Sequence, residues 1–216
     1  VLALGALTTG ALALSGCATM KVQSMTEAVR ALLLAASDQA FARLTAPGAF
    51  YDDRLNRITL PDGFAKTGNK VTDFLTSAAF KGELEKAFGK IAEKGAERAA
   101  PVVVQAIRSA SISDAEGIIR SGPTGATAFL RQAMGGSLVE AMVPAVGDAI
   151  RLADEPLVAQ AIASLTGIDN AGSVARNISG QVDGKIWDAI GREEASMRAN
   201  PASIRDPMLR RLFKAP

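Results

Sequence analysis

From Met25 to Leu44 the apolar residues Val29, Leu32, Leu33, Ala36 and Leu44 recur every three or four positions. That period lines one face of an α-helix, and Thr26 stands where a cap belongs. Pro47-Gly48 ends the helix. Ala49 to Pro61 reads as an ordered loop, with Arg57-Ile58-Thr59-Leu60 as at most one very short strand closed by Pro61. Val71, Phe74 and Leu75 mark a second helix. Leu84, Phe88, Ile91 and Ala92 begin a third, which continues through Val104 and Ile107. Pro101 is expected to kink or restart it, because proline lacks the amide proton and crowds the preceding turn. Ser111 and Asp114 form a capping arrangement for a short helix through Ile118 and Ile119, stopped at Gly122-Pro123. Phe129, Leu130, Met134, Leu138, Met142, Val143 and Val146 keep the helical period across breaks at Gly135-Gly136 and Pro144, with the methionines as core filler. A helix over Pro156 to Leu165 and a turn over Gly167 to Gly172 follow. Val182, Ile186, Ile190 and Met197 define a last long helix that stops at Asn200-Pro201, and Met208, Leu209 and Leu212 a terminal turn packed back on the body.

No segment alternates apolar and polar residues over strand length, and no fixed repeat is visible. The fold class is therefore all-α: a single bundle-like domain of short, kinked helices. A chain of 216 residues buries roughly 70% of its unfolded surface, enough for a core without disulfide or metal.

Ahead of this body, VLALGALTTGALALSG is an uncharged run ending at Cys17. As a helix it would extend about 24 Å, short of the roughly 30 Å hydrocarbon core. Leu14-Ser15-Gly16-Cys17 resembles the lipobox of bacterial lipoproteins, whose cysteine thiol takes a diacylglyceryl group. The resemblance implies a removed signal peptide over 1–16, a lipidated Cys17 with a short tether over 17–24, and the helical domain over 25–216. The partner of Cys17 is then a membrane. Ala18 after the cysteine, by the same resemblance, implies the outer membrane of the cell envelope, with the domain facing the periplasm.

Charge and composition narrow the chemistry. Lys and Arg number 24 against 22 Asp and Glu, and the basic tail of Arg205, Arg210, Arg211 and Lys214 reads as a helix-end cluster favoured by the macrodipole. No nucleic-acid partner is expected. There is no histidine, and Cys17 is the single cysteine. Ser-His-Asp and Cys-His catalysis and imidazole metal sites are thereby removed. Neither cofactor nor metal is expected.

What remains rests on carboxylates. Gly63 to Gly68 has the glycine spacing of a phosphate loop, but Asn69-Lys70-Val71 stands where Lys and Ser or Thr are required. Asp52-Asp53 and Asp154-Glu155 read as solvated acidic turns, outside any calcium-loop pattern. Glu193, Glu194 and Asp183 are the weak catalytic candidates. Glu194 and Arg198, four apart, are expected as an exposed helical ion pair worth a few tenths of a kcal/mol. A carboxylate facing a pocket instead would be a candidate acid or base.

Several stretches together resemble one family of bacterial envelope proteins, the domain of unknown function forty-one ninety-seven. They are Gly48-Ala49-Phe50 with Arg57 to Pro61, Ser111 to Gly117, Gly125-Ala126-Thr127 with Arg131, Val182-Asp183-Gly184, and Glu193-Glu194 through Arg198-Ala199-Asn200-Pro201. Asp114, Arg131, Asp183, Arg198 and Asn200 stand at positions typical of the family. The resemblance implies a helical secreted or lipid-anchored protein with no assigned activity, cofactor or catalytic residue. Ala149 to Ala175 departs from the longer tyrosine-containing stretch of that family. The expected role is a non-catalytic binding or interaction module for an envelope protein or an apolar ligand. A carboxylate-based hydrolase of envelope polymer is the alternative.

Overall fold

A computed structural model of the chain describes residues 15–59, 78–152, 170–204 and 206–214. Residues 1–14 of the expected leader over 1–16, the glycine-spaced segment, the helices expected near Val71 and over Pro156 to Leu165, and Asp154-Glu155 all lie outside the described residues. Seven α-helices are described: α1 (Ser15–Leu44), α2 (Ala78–Ser109), α3 (Ala115–Arg120), α4 (Gly125–Met134), α5 (Ser137–Leu152), α6 (Asn170–Ala199) and α7 (Pro207–Lys214), with a 3-10 turn, Pro201–Ser203, before α7. Among the described residues there is no strand, and the domain is all-α.

α6 packs along α5 and α1, and α2 packs along α5 and α1, so two long layers enclose one core. The apolar faces read from the spacing are the ones buried: Leu32, Leu33, Phe88, Ile107, Met142 and Ile186 are at most 1% exposed. Each such side chain contributes on the order of 1.5–3 kcal/mol by burial.

Three helices run 30, 32 and 30 residues, so the expectation of short helices holds only for the others. α2 passes through Pro101 without the expected restart, and α5 passes through Pro144. Both prolines are on the solvent side of their helices. A carbonyl deprived of its partner there is still met by water, which reduces the cost of an interior proline. α6 begins at Asn170, so the expected turn over Gly167 to Gly172 gives way to helix in its described part. Glycines also permit close approach: a methyl on Gly95 of α2 would stand 3.0 Å from Val146 Cγ2 of α5.

Helix ends are closed by specific partners. Asp114, rather than Ser111, caps α3, its carboxylate accepting from the Gly117 amide at 2.8 Å. Gly135, at φ +53°, ends α4 and donates to the Arg131 carbonyl at 3.0 Å. Arg30 of α1 donates to the carbonyls of Ile107 and Ala110 at 3.3 and 3.1 Å, closing the end of α2 from another helix.

The segment after α1 stays a loop because its backbone finds a side chain instead of a strand. The Gln181 carboxamide accepts from the Thr59 amide at 2.8 Å and donates to the Thr59 carbonyl at 2.9 Å. Lys185 donates to the Leu55 carbonyl at 2.8 Å, and Arg192 to Asn56 Oδ1 at 3.2 Å, so the loop lies along α6.

Candidate functional site

α4 starts without help from its own sequence: its N-cap Thr124 makes no side-chain capping bond and its first turn holds no acid. The missing acceptor comes from α6. Glu194, fully buried, accepts from the Ala126 amide at 3.0 Å through Oε1, and from the Thr127 amide at 2.7 Å and Thr127 Oγ1 at 2.6 Å through Oε2. Arg198, one turn on, donates to the same Oε1 from Nε at 2.9 Å and Nη2 at 2.7 Å. Five donors therefore surround one carboxylate at a helix N-terminus, where backbone amides and the macrodipole both favour negative charge. Arg198 is itself held, donating to the Ile119 carbonyl at 2.7 Å and lying over the Phe213 ring at 5.2 Å.

The expected exposed ion pair is thus corrected. The side chains of Glu194 and Arg198 are 0% and 11% exposed, because α4 and α7 cover that face of α6. Glu193 points elsewhere, to Arg43 Nη1 of α1 at 2.6 Å, and is also buried. The two adjacent carboxylates therefore serve different helix contacts and face no common space.

Asp183 is the carboxylate nearer to open space. Half-buried, it accepts from Trp187 Nε1 at 2.9 Å, and its pKa is raised above 3.8. Desolvation by burial dominates the shift, opposed by the Trp187 hydrogen bond and the positive charge of Arg131. Beside this group, α4 and α6 leave a groove of about 470 Å³, lined by Thr124, Thr127, Ala128 and Arg131 on one side and Trp187, Asp188, Gly191, Arg192 and Ala195 on the other. A methyl on Gly191 would make ordinary contact with Thr124 Cγ2 at 3.4 Å, so the two walls stand about one side chain apart there. Small side chains form the floor and both signs of charge stand at the edge. Asp183 is not itself in the lining, but its hydrogen-bond partner Trp187 and the nearby Arg131 are.

The other expected positions are plainly placed. Asp114 is a helix cap, and Asn200 is exposed where the 3-10 turn begins. Arg131 is exposed at the groove edge and Arg198 lies beneath it, on Glu194. Asp53 folds its own turn, accepting from the Leu55 amide at 2.9 Å and Asn56 Nδ2 at 2.7 Å, as an acidic turn should. Among the described residues no group of three or more carboxylate, cysteine or histidine ligands is gathered for a metal. Cys17 falls within α1, and its side chain is outside the described set. No helix is long and apolar enough to cross a membrane among the described residues. The Asp183–Trp187 pair, four apart on a helix, is legible in the spacing. Thr127 and Ala126 as partners of Glu194 are not, although an α4 start with no acid of its own is a signal that some distant acceptor is required.

A family model described as "protein of unknown function (DUF4197)" matches residues 19–214. No curated protein and no solved structure matches the chain.

Proposed function

The chain belongs to the DUF4197 family, and we propose that it is a non-catalytic binding module held at the bacterial envelope by lipid on Cys17. The observation that carries the non-catalytic reading is the saturation of Glu194: both oxygens are occupied by five protein donors. A general acid or base must exchange a proton with substrate. Glu194 has no open lone pair with which to do so, and Glu193 is turned toward Arg43. Of the three candidate carboxylates only Asp183 is then left, whereas glycoside hydrolysis uses a pair. What supports binding is the groove between α4 and α6, set on a rigid base by the Glu194–Arg198 pair and carrying Arg131, Asp188 and Arg192 at its edge.

The experiment uses the lipidated chain in its membrane and a variant with Arg131→Glu, which reverses charge at the exposed groove edge without touching the core. Partners cross-linked to the wild-type chain should be lost from the variant. Equal recovery from both would remove the groove from the reading, and envelope-polymer cleavage by purified chain that Asp183→Asn abolishes would replace it with the hydrolase alternative. The anchor is tested separately, by mass spectrometry of the Cys17 peptide and by membrane fractionation of Cys17→Ser. A chain that stays in the membrane without that thiol is not anchored through it.

A further inference from the structure

α1 and α7, far apart in sequence, meet at one end of the bundle. Arg30 of α1 holds the last carbonyls of α2, and α3 packs on α1 beside them. Arg198, at the end of α6, reaches both the Ile119 carbonyl of α3 and the ring of Phe213 in α7. α7 is thereby laid on the same end, packed on α1 with Leu209 fully buried. α1 itself is continuous from Ser15. Its far end is followed by Gly48, bound to Glu93 of α2, so the two helices are antiparallel and the first turns of α1 extend past the end of α2. Cys17 stands about 20 Å along the axis from Arg30, on the side of this end.

Charge is unevenly shared here. After Glu194 the sequence holds five basic residues, Arg198, Arg205, Arg210, Arg211 and Lys214, against Asp206 alone. No acid precedes Glu27, and none stands between Glu97 and Asp114. The acids that do belong to this end are engaged: Glu27 with Arg30, Glu116 with Arg120, Asp114 with the Gly117 amide and Asp206 with the Leu209 amide. Arg108 and Arg210 have no acidic partner among the described residues. Leu209 and Phe213 fix the inner side of α7, so Arg211 occupies the opposite side of the helix, with Lys214 one turn on.

These cations spread along a helix and over an end of the bundle instead of converging on one point. A flat layer of phosphates matches that spread better than a single small anion does. We propose that this end of the domain, with α7 outermost, docks on a bilayer surface of anionic phospholipid. The proposal rests on the lipid-anchor reading, which brings that surface to the same end of α1. Each cation that reaches the headgroup layer contributes roughly fivefold to partition.

The test floats the full chain carrying Cys17→Ser with vesicles of phosphatidylcholine alone, and of equal parts phosphatidylcholine and phosphatidylglycerol. Residues 1–16 carry no charge, so their apolar attraction is common to both. Partition should be at least roughly tenfold higher on the anionic vesicles, and the excess should vanish between about 0.05 and 0.5 M NaCl. Arg211→Glu combined with Lys214→Glu should remove most of that excess. Arg54→Glu combined with Lys86→Glu makes the same change of net charge at exposed positions away from this end and should leave most of it. With the lipidated wild-type chain in the two kinds of vesicle, amide exchange over residues 207–214 should slow in the anionic ones only. Equal partition on both vesicles, equal losses in the two double variants, or α7 exchange indifferent to lipid charge each overturns the proposal. Mass spectrometry of the Cys17 peptide separates the two readings. An unmodified Cys17 with the anionic preference intact removes the anchor and keeps this surface, whereas a lipidated Cys17 without that preference removes the surface and keeps the anchor.

Discussion

Removing the Glu194 carboxylate should be among the most damaging single changes in the chain. Glu194→Ala leaves the Arg198 guanidinium, 11% exposed, without its ion-pair partner, and the Ala126 and Thr127 amides without an acceptor. Breaking one side of a buried pair costs about 3–5 kcal/mol, and each orphaned buried donor costs about 1–3 kcal/mol when water does not replace the partner. These contributions overlap, so about 4 kcal/mol is the expected loss. That is a large part of the 5–15 kcal/mol typical of a domain. It corresponds to a fall in Tm of roughly 10 °C at this size. Urea unfolding followed by far-UV circular dichroism measures it directly, as a lower midpoint at unchanged slope. Glu194→Gln keeps the shape but turns one acceptor into a donor facing donors, and should recover only part of the loss. A double-mutant cycle with Arg198→Met should give a coupling above about 1 kcal/mol, since the two groups share Oε1. A loss below about 1 kcal/mol for Glu194→Ala would place this pair with exposed ion pairs and refute the assignment.

Three other expectations follow from the packing. Burial holds the Asp183 carboxyl above its ordinary 3.8, so the folded chain binds that proton more tightly than the unfolded one. Its contribution to stability is full below the ordinary value and is lost as pH rises through the raised one. Asp183→Asn, whose amide oxygen still accepts from Trp187, should therefore be at least as stable as wild type at pH 7, with any advantage shrinking in melts toward pH 4; an advantage that grows with acid contradicts this sign. At Gly95, where a methyl would stand 3.0 Å from Val146, Gly95→Leu should cost about 1–3 kcal/mol by overpacking. Gly95→Ala should come out near neutral in the same melt, because helix propensity offsets the crowding. Gln181→Ala removes all three bonds to Thr59, about 1 kcal/mol at this exposed position, and should speed hydrogen exchange of the Thr59 amide while leaving the core amides unchanged.

Periodicity reveals what one helix does with its own face. It located α1, α2 and α6 through Leu32, Phe88 and Ile186 because those side chains are buried wherever the neighbours stand. It was less informative at prolines: Pro101 and Pro144 have the same chemistry as helix breakers, and only the tertiary packing decides that they face solvent. The candidate site shows the same division. The four-residue spacing of Glu194 and Arg198 gave the pair, but its burial depends on α4 arriving from 68 residues away. Trp187 and Arg131 line one groove for the same reason, and no local pattern encodes that meeting.

The distance spanned by the Glu194 carboxylate also bears on when α4 can form. Ten residues are too few for a helix to persist alone in water, and the N-terminal amides of this one find their acceptor only in α6. A chain emerging from the ribosome exposes Gly125 to Met134 long before residue 194 exists. During that interval the segment has neither its cap nor the surface it packs on. Completion of α4 is thus a late event in synthesis, and the final quarter of the chain acts as the clasp that closes the middle.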